Sequence, residues 1–211
     1  MTTTIKKIDS SSIDLAVSIL RAGGIIAYPT ETFYGLGVDP FNRAALKRLY
    51  AVKQRERSQP ILLLVSGMAQ CASLLAEPVA ETFTRLAKCY WPGPLTLVHK
   101  ARPDIPNELT GQTGSVGVRQ SPHPSAAEIL RRFQRPVTGT SANISGSEGA
   151  ARAKQVVQMF PQELDLILDG GETPGKTGST LVQCSNNSIQ CIREGSISYQ
   201  AVCDTLTLQH T

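Results

Sequence analysis

The chain has 211 residues, of which 41% are hydrophobic and 18% charged, with a net charge of +4. That balance excludes disordered and fibrous classes, and the length suits one domain over residues 1–211 with a single large core. The small positive excess permits an anionic partner such as a nucleotide or nucleic acid without requiring one.

The N-terminal "MTTTIKKIDSSSIDLAVSIL" lacks a long apolar core, and no run reaches the roughly 18 apolar residues of a membrane span, so the expectation is a soluble cytoplasmic protein. Ile13, Ala16, Val17 and Leu20 fall at i, i+3, i+4 and i+7, which predicts a helix capped by Ser11 or Ser12 and stopped by Gly23-Gly24. "IIAY" at 25–28 reads as a strand. Asn42 is placed to cap a helix that turns Ala45, Leu46, Leu49 and Val52 inward, and "ILLLV" at 61–65 reads as a buried strand. Two helical patterns cover 69–90, with Pro78 between them.

After the turn "WPGP" come strand-like "LTLVHK" and "SVGVR", the amphipathic "SAAEILRRF", and "PVTGTSANISG" as strand into polar loop. Further strands are expected at "LDLIL", "STLVQ" and "SIQCIR". The fold class is therefore α/β (or α+β), with many strands and about six helices.

One motif match is formal only. "GGETPGKT" at 170–177 satisfies G-x-x-x-x-G-K-[ST], but a phosphate loop of that type opens a helix whose N-terminus faces the anion. Here β-branched and turn-forming residues follow, and Pro174 removes one N–H from the cradle. The five cysteines contain no C-x-x-C pair, so neither a disulfide framework nor a zinc site is suggested. His99, His123 and His210 show no ligand spacing, and no metal site is expected.

What remains is a set of short polar segments at strand ends: "PTETFYGLG", "KQR", "SVGVR", "TSANISG" and "GSTLV". Each alone reads as a turn or cap. "KQR" itself admits two readings, a solvated helix end whose cations complement the dipole or a site for a polyanion. Five such segments with Lys and Arg among them point to a shared pocket.

In order and separation these segments, with "WPGPLTLV", "SVGVRQSPHP" and "IREG", resemble the threonylcarbamoyl-adenylate synthase family, or YrdC-like domain, over about residues 10–195. The resemblance implies the short form, without the C-terminal extra domain of longer members. It implies a twisted mixed sheet flanked by helices around a basic concave cavity. The implied reaction joins L-threonine, bicarbonate or CO2, and ATP, together with Mg2+, into threonylcarbamoyl-AMP and pyrophosphate. A separate machinery then transfers the threonylcarbamoyl group to tRNA.

Residue by residue, the resemblance implies that Lys53 and Arg55 face the nucleotide phosphates. Thr32, Arg119, Ser141 and Ser179 line a threonine pocket, with the Arg119 fork on the substrate carboxylate. Gln59, Ser115, Asn143 and Arg193 join Lys53 and Arg55 around ATP, and Lys53, Arg55, Ser141 and Asn143 carry the catalysis. Two departures stand out: Leu64 occupies the place where many members have a histidine near the threonine, and "RQSPHP" keeps His123 but lacks an acid beside it. The alternative function is a double-stranded RNA or tRNA binding module of the same fold, with phosphate contacts and no ATP chemistry. A hydrogenase-maturation type shares the domain but belongs to a much longer chain.

Overall fold

A computed structural model describes residues 3–207. In chain order the elements are β1 (Thr4–Lys7), α1 (Ser10–Arg21), β2 (Ile26–Pro29), β3 (Tyr34–Gly37), α2 (Arg43–Val52), β4 (Leu63–Leu64) and α3 (Met68–Cys71). There follow α4 (Glu81–Tyr90), β5 (Leu95–Lys100), α5 (Asn107–Thr110), β6 (Ser115–Arg119), α6 (Pro124–Phe133), β7 (Val137–Thr138) and β8 (Thr140–Ser141). The rest is α7 (Ala153–Met159), β9 (Leu166–Asp169), β10 (Thr180–Cys184), β11 (Ile189–Arg193) and α8 (Tyr199–Thr207).

Instead of the one sheet expected, the strands form two mixed sheets, one ordered β1-β9-β2-β3-β8 and the other β11-β10-β5-β6-β4-β7. The two meet where β7 leaves the edge of the second and β8 joins the edge of the first, with Gly139 alone between them. Any side chain there would run into its neighbours, since a Cβ at Gly139 would lie 2.8 Å from Leu64 Cγ and 2.9 Å from Leu62 Cδ1. Gly139 N donates to Leu62 O at 2.9 Å and Thr138 N to Val38 O at 3.2 Å, so the chain is held from both sides as it crosses.

The first sheet is covered on both faces, which explains why its central strands read as unbroken apolar runs. Ile26, Tyr28, Leu166 and Leu168 pack with Ile13, Leu20, Ile129 and Phe133 of α1 and α6. Ile25, Ala27 and Ile167 point the other way, into a larger core with Leu36, Leu46, Phe83, Leu95, Leu97 and Val118. Each such side chain, taken fully out of water, stabilises the fold by about 1.5–3 kcal/mol.

Several local expectations shift. The cap of α1 is Asp9 rather than Ser11 or Ser12: Asp9 Oδ1 accepts from Ser12 N at 2.7 Å, and Ser12 Oγ accepts from Asp9 N at 2.9 Å, a reciprocal pair that starts the helix earlier. Asn42 caps α2 as expected, through Ala45 N at 3.0 Å. "ILLLV" contributes only Leu63 and Leu64 to a ladder. The first helical pattern of 69–90 shrinks to the single turn α3. β1, β3, α7 and α8 were not expected as elements, and Gly35 and Gly37 explain the omission of β3.

Candidate active site

The second sheet has one face in the core and one in a cavity of about 1190 Å³. Strict alternation produces this split: Leu95 and Leu97 of β5 and Val116 and Val118 of β6 are core residues, whereas Thr96, Val98, Ser115, Gly117 and Arg119 line the cavity. All ten site residues expected from the sequence (Thr32, Lys53, Arg55, Gln59, Ser115, Arg119, Ser141, Asn143, Ser179 and Arg193) lie on its wall.

The end of α2 brings in the cations. Lys53 closes the helix, Gln54 takes the left-handed region at φ 49°, and Arg55 N returns to Tyr50 O at 3.0 Å. This reversal sends Arg55 toward the cavity, where its Nη2 donates to Pro60 O at 2.8 Å. Lys53 turns inward instead. Its Nζ donates to Ser141 O at 2.6 Å, Asn143 O at 2.8 Å and Asn143 Oδ1 at 3.2 Å. Burial, and then neighbouring Arg55, push its ammonium down to about 7. Burial also lowers Arg55 and Arg193, and Arg193 further depresses both Arg55 and Arg119, so the cations share one field.

The turn between β2 and β3 carries the opposite wall. Thr30 Oγ1 donates to Phe33 O at 2.7 Å and lies 3.1 Å from Thr32 Oγ1, which fixes the Thr32 hydroxyl at the rim. Arg119 Nη1 is hydrogen-bonded to Glu31 Oε1, and Ser121 Oγ holds Glu31 Oε2. The Nε of Arg119 is buried with no partner, and no hydrogen bond involves its Nη2 among the described residues. Nε and Nη2 form one edge of the guanidinium, so an edge able to receive both oxygens of a carboxylate is unengaged.

Glu31 and Ser121 are the functional-site neighbours that sequence reading missed. Their signal in the sequence is the acid between two threonines in "PTET". Ser145 was also missed; it lines the cavity with a buried Oγ that has no partner among the described residues.

The remaining expected residues are held by local bonds. Ser141 Oγ donates to Asn143 Oδ1 at 2.7 Å, and Asn143 Nδ2 donates to Ile144 O at 3.0 Å and Ser147 O at 2.6 Å. Ser179 Oγ lies 2.8 Å from Thr96 Oγ1, and Arg193 Nη2 donates to Ser179 O at 2.9 Å. The segment "GGETPGKT" opens no helix: its chain runs from β9 to β10 as loop, with Gly175 N bonded to Thr32 O at 2.8 Å. Leu64 is core and does not line the cavity; Leu62, two residues earlier, does. His123 is off the cavity wall and caps α6, accepting from Ser125 N at 3.3 Å; burial lowers its pKa and Glu31 opposes the shift. Among the described residues no group of three or more His, Cys, Asp or Glu is placed to hold a metal ion, and no helix is long and apolar enough to cross a membrane.

Three kinds of comparison agree with this architecture. A family model for Sua5, YciO and YrdC proteins, described as "Telomere recombination", matches residues 18–195. A threonylcarbamoyl-AMP synthase of Pyrococcus abyssi is 32% identical over 197 residues, covering 93% of this chain and 58% of the relative. One from Vibrio cholerae is 36% identical over 186 residues, covering 87% of this chain and 97% of the relative. The chain thus spans little more than half of the first relative and almost all of the second.

Among solved structures, P. abyssi Sua5 complexed with L-threonine superposes with a TM-score of 0.90 at 31% identity, over 97% of this chain and 60% of that one. E. coli YciO matches at a TM-score of 0.82 and 24% identity, over 93% of this chain and 96% of that one, a likeness of fold.

Proposed function

This chain belongs to the Sua5/YciO/YrdC family, and on that premise we propose that it is an L-threonylcarbamoyladenylate synthase. It condenses L-threonine, bicarbonate or CO2, and ATP into threonylcarbamoyl-AMP and pyrophosphate. The observation that carries the reading is the convergence on one cavity of a carboxylate-ready arginine edge, at Arg119, with the cations Arg55 and Arg193.

In this reading the Arg119 edge takes the threonine carboxylate, and Thr32, Ser141 and Ser179 surround its amine and hydroxyl. Arg55 and Arg193 receive the ATP phosphates, with Gln59, Ser115 and Asn143 around the nucleotide and Lys53 behind them. The neutral threonine amine adds to CO2, giving a carbamate that keeps one N–H and releases one proton to water, and one carbamate oxygen then attacks the α-phosphorus. The bond from that phosphorus to the bridging oxygen breaks, and pyrophosphate leaves with the electron pair. Because the nucleophile is already a carboxylate, the attack itself needs no general base. Fixed cations and N–H donors facing the charge that builds on phosphate supply most of the stabilisation. Carbamates are short-lived in water, so holding amine and CO2 together inside the cavity is the protein's second contribution.

Mg2+ enters with the ATP phosphates, and the product passes in the cytoplasm to a separate machinery that modifies tRNA. Incubating the protein with ATP, Mg2+, threonine and 13C-labelled bicarbonate should yield threonylcarbamoyl-AMP carrying the label. Double-stranded RNA binding without any labelled adduct would favour the binding-module alternative.

A further inference from the structure

Lys53 lines the cavity yet is only 1% exposed. A lysine ammonium offers three donors and no acceptor, and here three protein acceptors surround it: Ser141 O, Asn143 O and Asn143 Oδ1. The main chain of the same residue grips the same loop, since Lys53 O accepts from Ser145 N at 2.9 Å. Asn143 completes the frame by tying Ile144 O and Ser147 O with its amide nitrogen. Loop 141–147 is therefore built around the end of α2, and Lys53 has no hydrogen left for a ligand.

Inside that frame sits Ser145. Its hydroxyl is buried and lacks a partner among the described residues, on a residue that lines the cavity. Buried hydroxyls are nearly always satisfied, so one left open beside a cluster of cations calls for a partner that the protein itself does not supply. An anionic oxygen fits, because a hydroxyl donates readily to it and Arg55 and Arg193 line the same cavity.

We propose that Lys53 is a positioning residue rather than a phosphate contact, and that it acts on the nucleotide by holding Ser145 Oγ as a hydrogen-bond donor to an ATP phosphate oxygen. The identity of the ligand as ATP rests on the synthase reading above. Lys53 thus acts on the substrate through the loop it braces.

A double-mutant cycle read by calorimetry, with ATP and Mg2+ titrated into the full chain, tests this. Ser145→Ala should weaken ATP by about tenfold, the loss of one hydrogen bond to a charged acceptor. Lys53→Met should weaken it at least as much, and the double variant should bind within about twofold of Lys53→Met, because the side chain that braces Ser141 and Asn143 beside Ser145 is gone and the main-chain bond from Ser145 N to Lys53 O does not by itself orient the hydroxyl. A loss in the double variant equal to the product of the single losses would mean that Lys53 touches the phosphates independently, and overturns the proposal. So would unchanged affinity in Ser145→Ala. If Lys53→Met does not fold, Lys53→Arg takes its place in the cycle with the same two outcomes. Binding separates this inference from the reaction: ATP affinity that follows the cycle in a chain making no threonylcarbamoyl-AMP would sink the synthase reading alone, whereas a wild type that binds no ATP overturns both.

Discussion

Arg119, on the wall of the cavity, forms an ion pair with Glu31, the two side chains being 3% and 13% exposed. Arg119 lies at the end of β6 and Glu31 in the turn after β2, so this one contact ties the second sheet to the first. Removing the acid leaves a buried guanidinium without its counter-charge. Glu31→Ala should cost about 3–5 kcal/mol in urea denaturation. Ser121→Ala, which removes only a supporting hydrogen bond from Glu31, should cost about 1–3 kcal/mol. A loss of under about 1 kcal/mol in Glu31→Ala would contradict the pairing.

The buried ammonium of Lys53 makes stability depend on alkaline pH. Its pKa falls from 10.5 to about 7 in the folded protein, first through burial and then through Arg55. Between these values the unfolded chain binds more protons than the folded one, so stability rises with pH. The contribution is complete above 10.5 and is lost as pH falls toward about 7. Chemical denaturation at about pH 7 and about pH 10 should therefore show wild type gaining on Lys53→Met at the higher pH. A pH-independent difference would mean that the ammonium is no harder to bury than to expose.

The loop between β9 and β10 should not behave as a phosphate loop. Lys176 is exposed, and no helix follows it to add N–H donors. Lys176→Ala should leave ATP affinity within about twofold, and abolished binding in calorimetry would restore the motif.

Much of this was legible because period and burial coincide. "LTLVHK" and "SVGVR" alternate cleanly and appear as β5 and β6 with the expected bounds, and Asn42 caps α2 because its side chain has a single local job. Where several residues could do one job, the reading slipped, as with Asp9 ahead of three serines. Partners distant in the chain were beyond reach. Glu31 and Arg119 are separated by 88 positions, and the acceptors of Lys53 by 88 and 90. A sequence shows that Lys53 is charged, but only the fold shows that its charge points into a loop.

Substrate choice should follow from the polar wall around Thr32, Arg119, Ser141 and Ser179. Threonine should be preferred to serine by roughly 1–3 kcal/mol in kcat/KM, the contribution of one methyl in a fitted recess. Valine, which has the shape without the hydroxyl, should fare worse than serine because a polar partner would be left unpaired. Equal turnover of all three under the same bicarbonate would rule out a dedicated threonine pocket.

The most direct measurement is pyrophosphate release from ATP, followed with threonine and bicarbonate each omitted in turn, for wild type and for Arg55→Ala. The account predicts release only when threonine, bicarbonate, ATP and Mg2+ are all present, and a fall of at least about a hundredfold in kcat/KM for Arg55→Ala with the fold retained, in keeping with the loss of one preorganised charge at the transferring phosphoryl group. Pyrophosphate release that is indifferent to threonine and bicarbonate, or wild-type rates in Arg55→Ala, would contradict it.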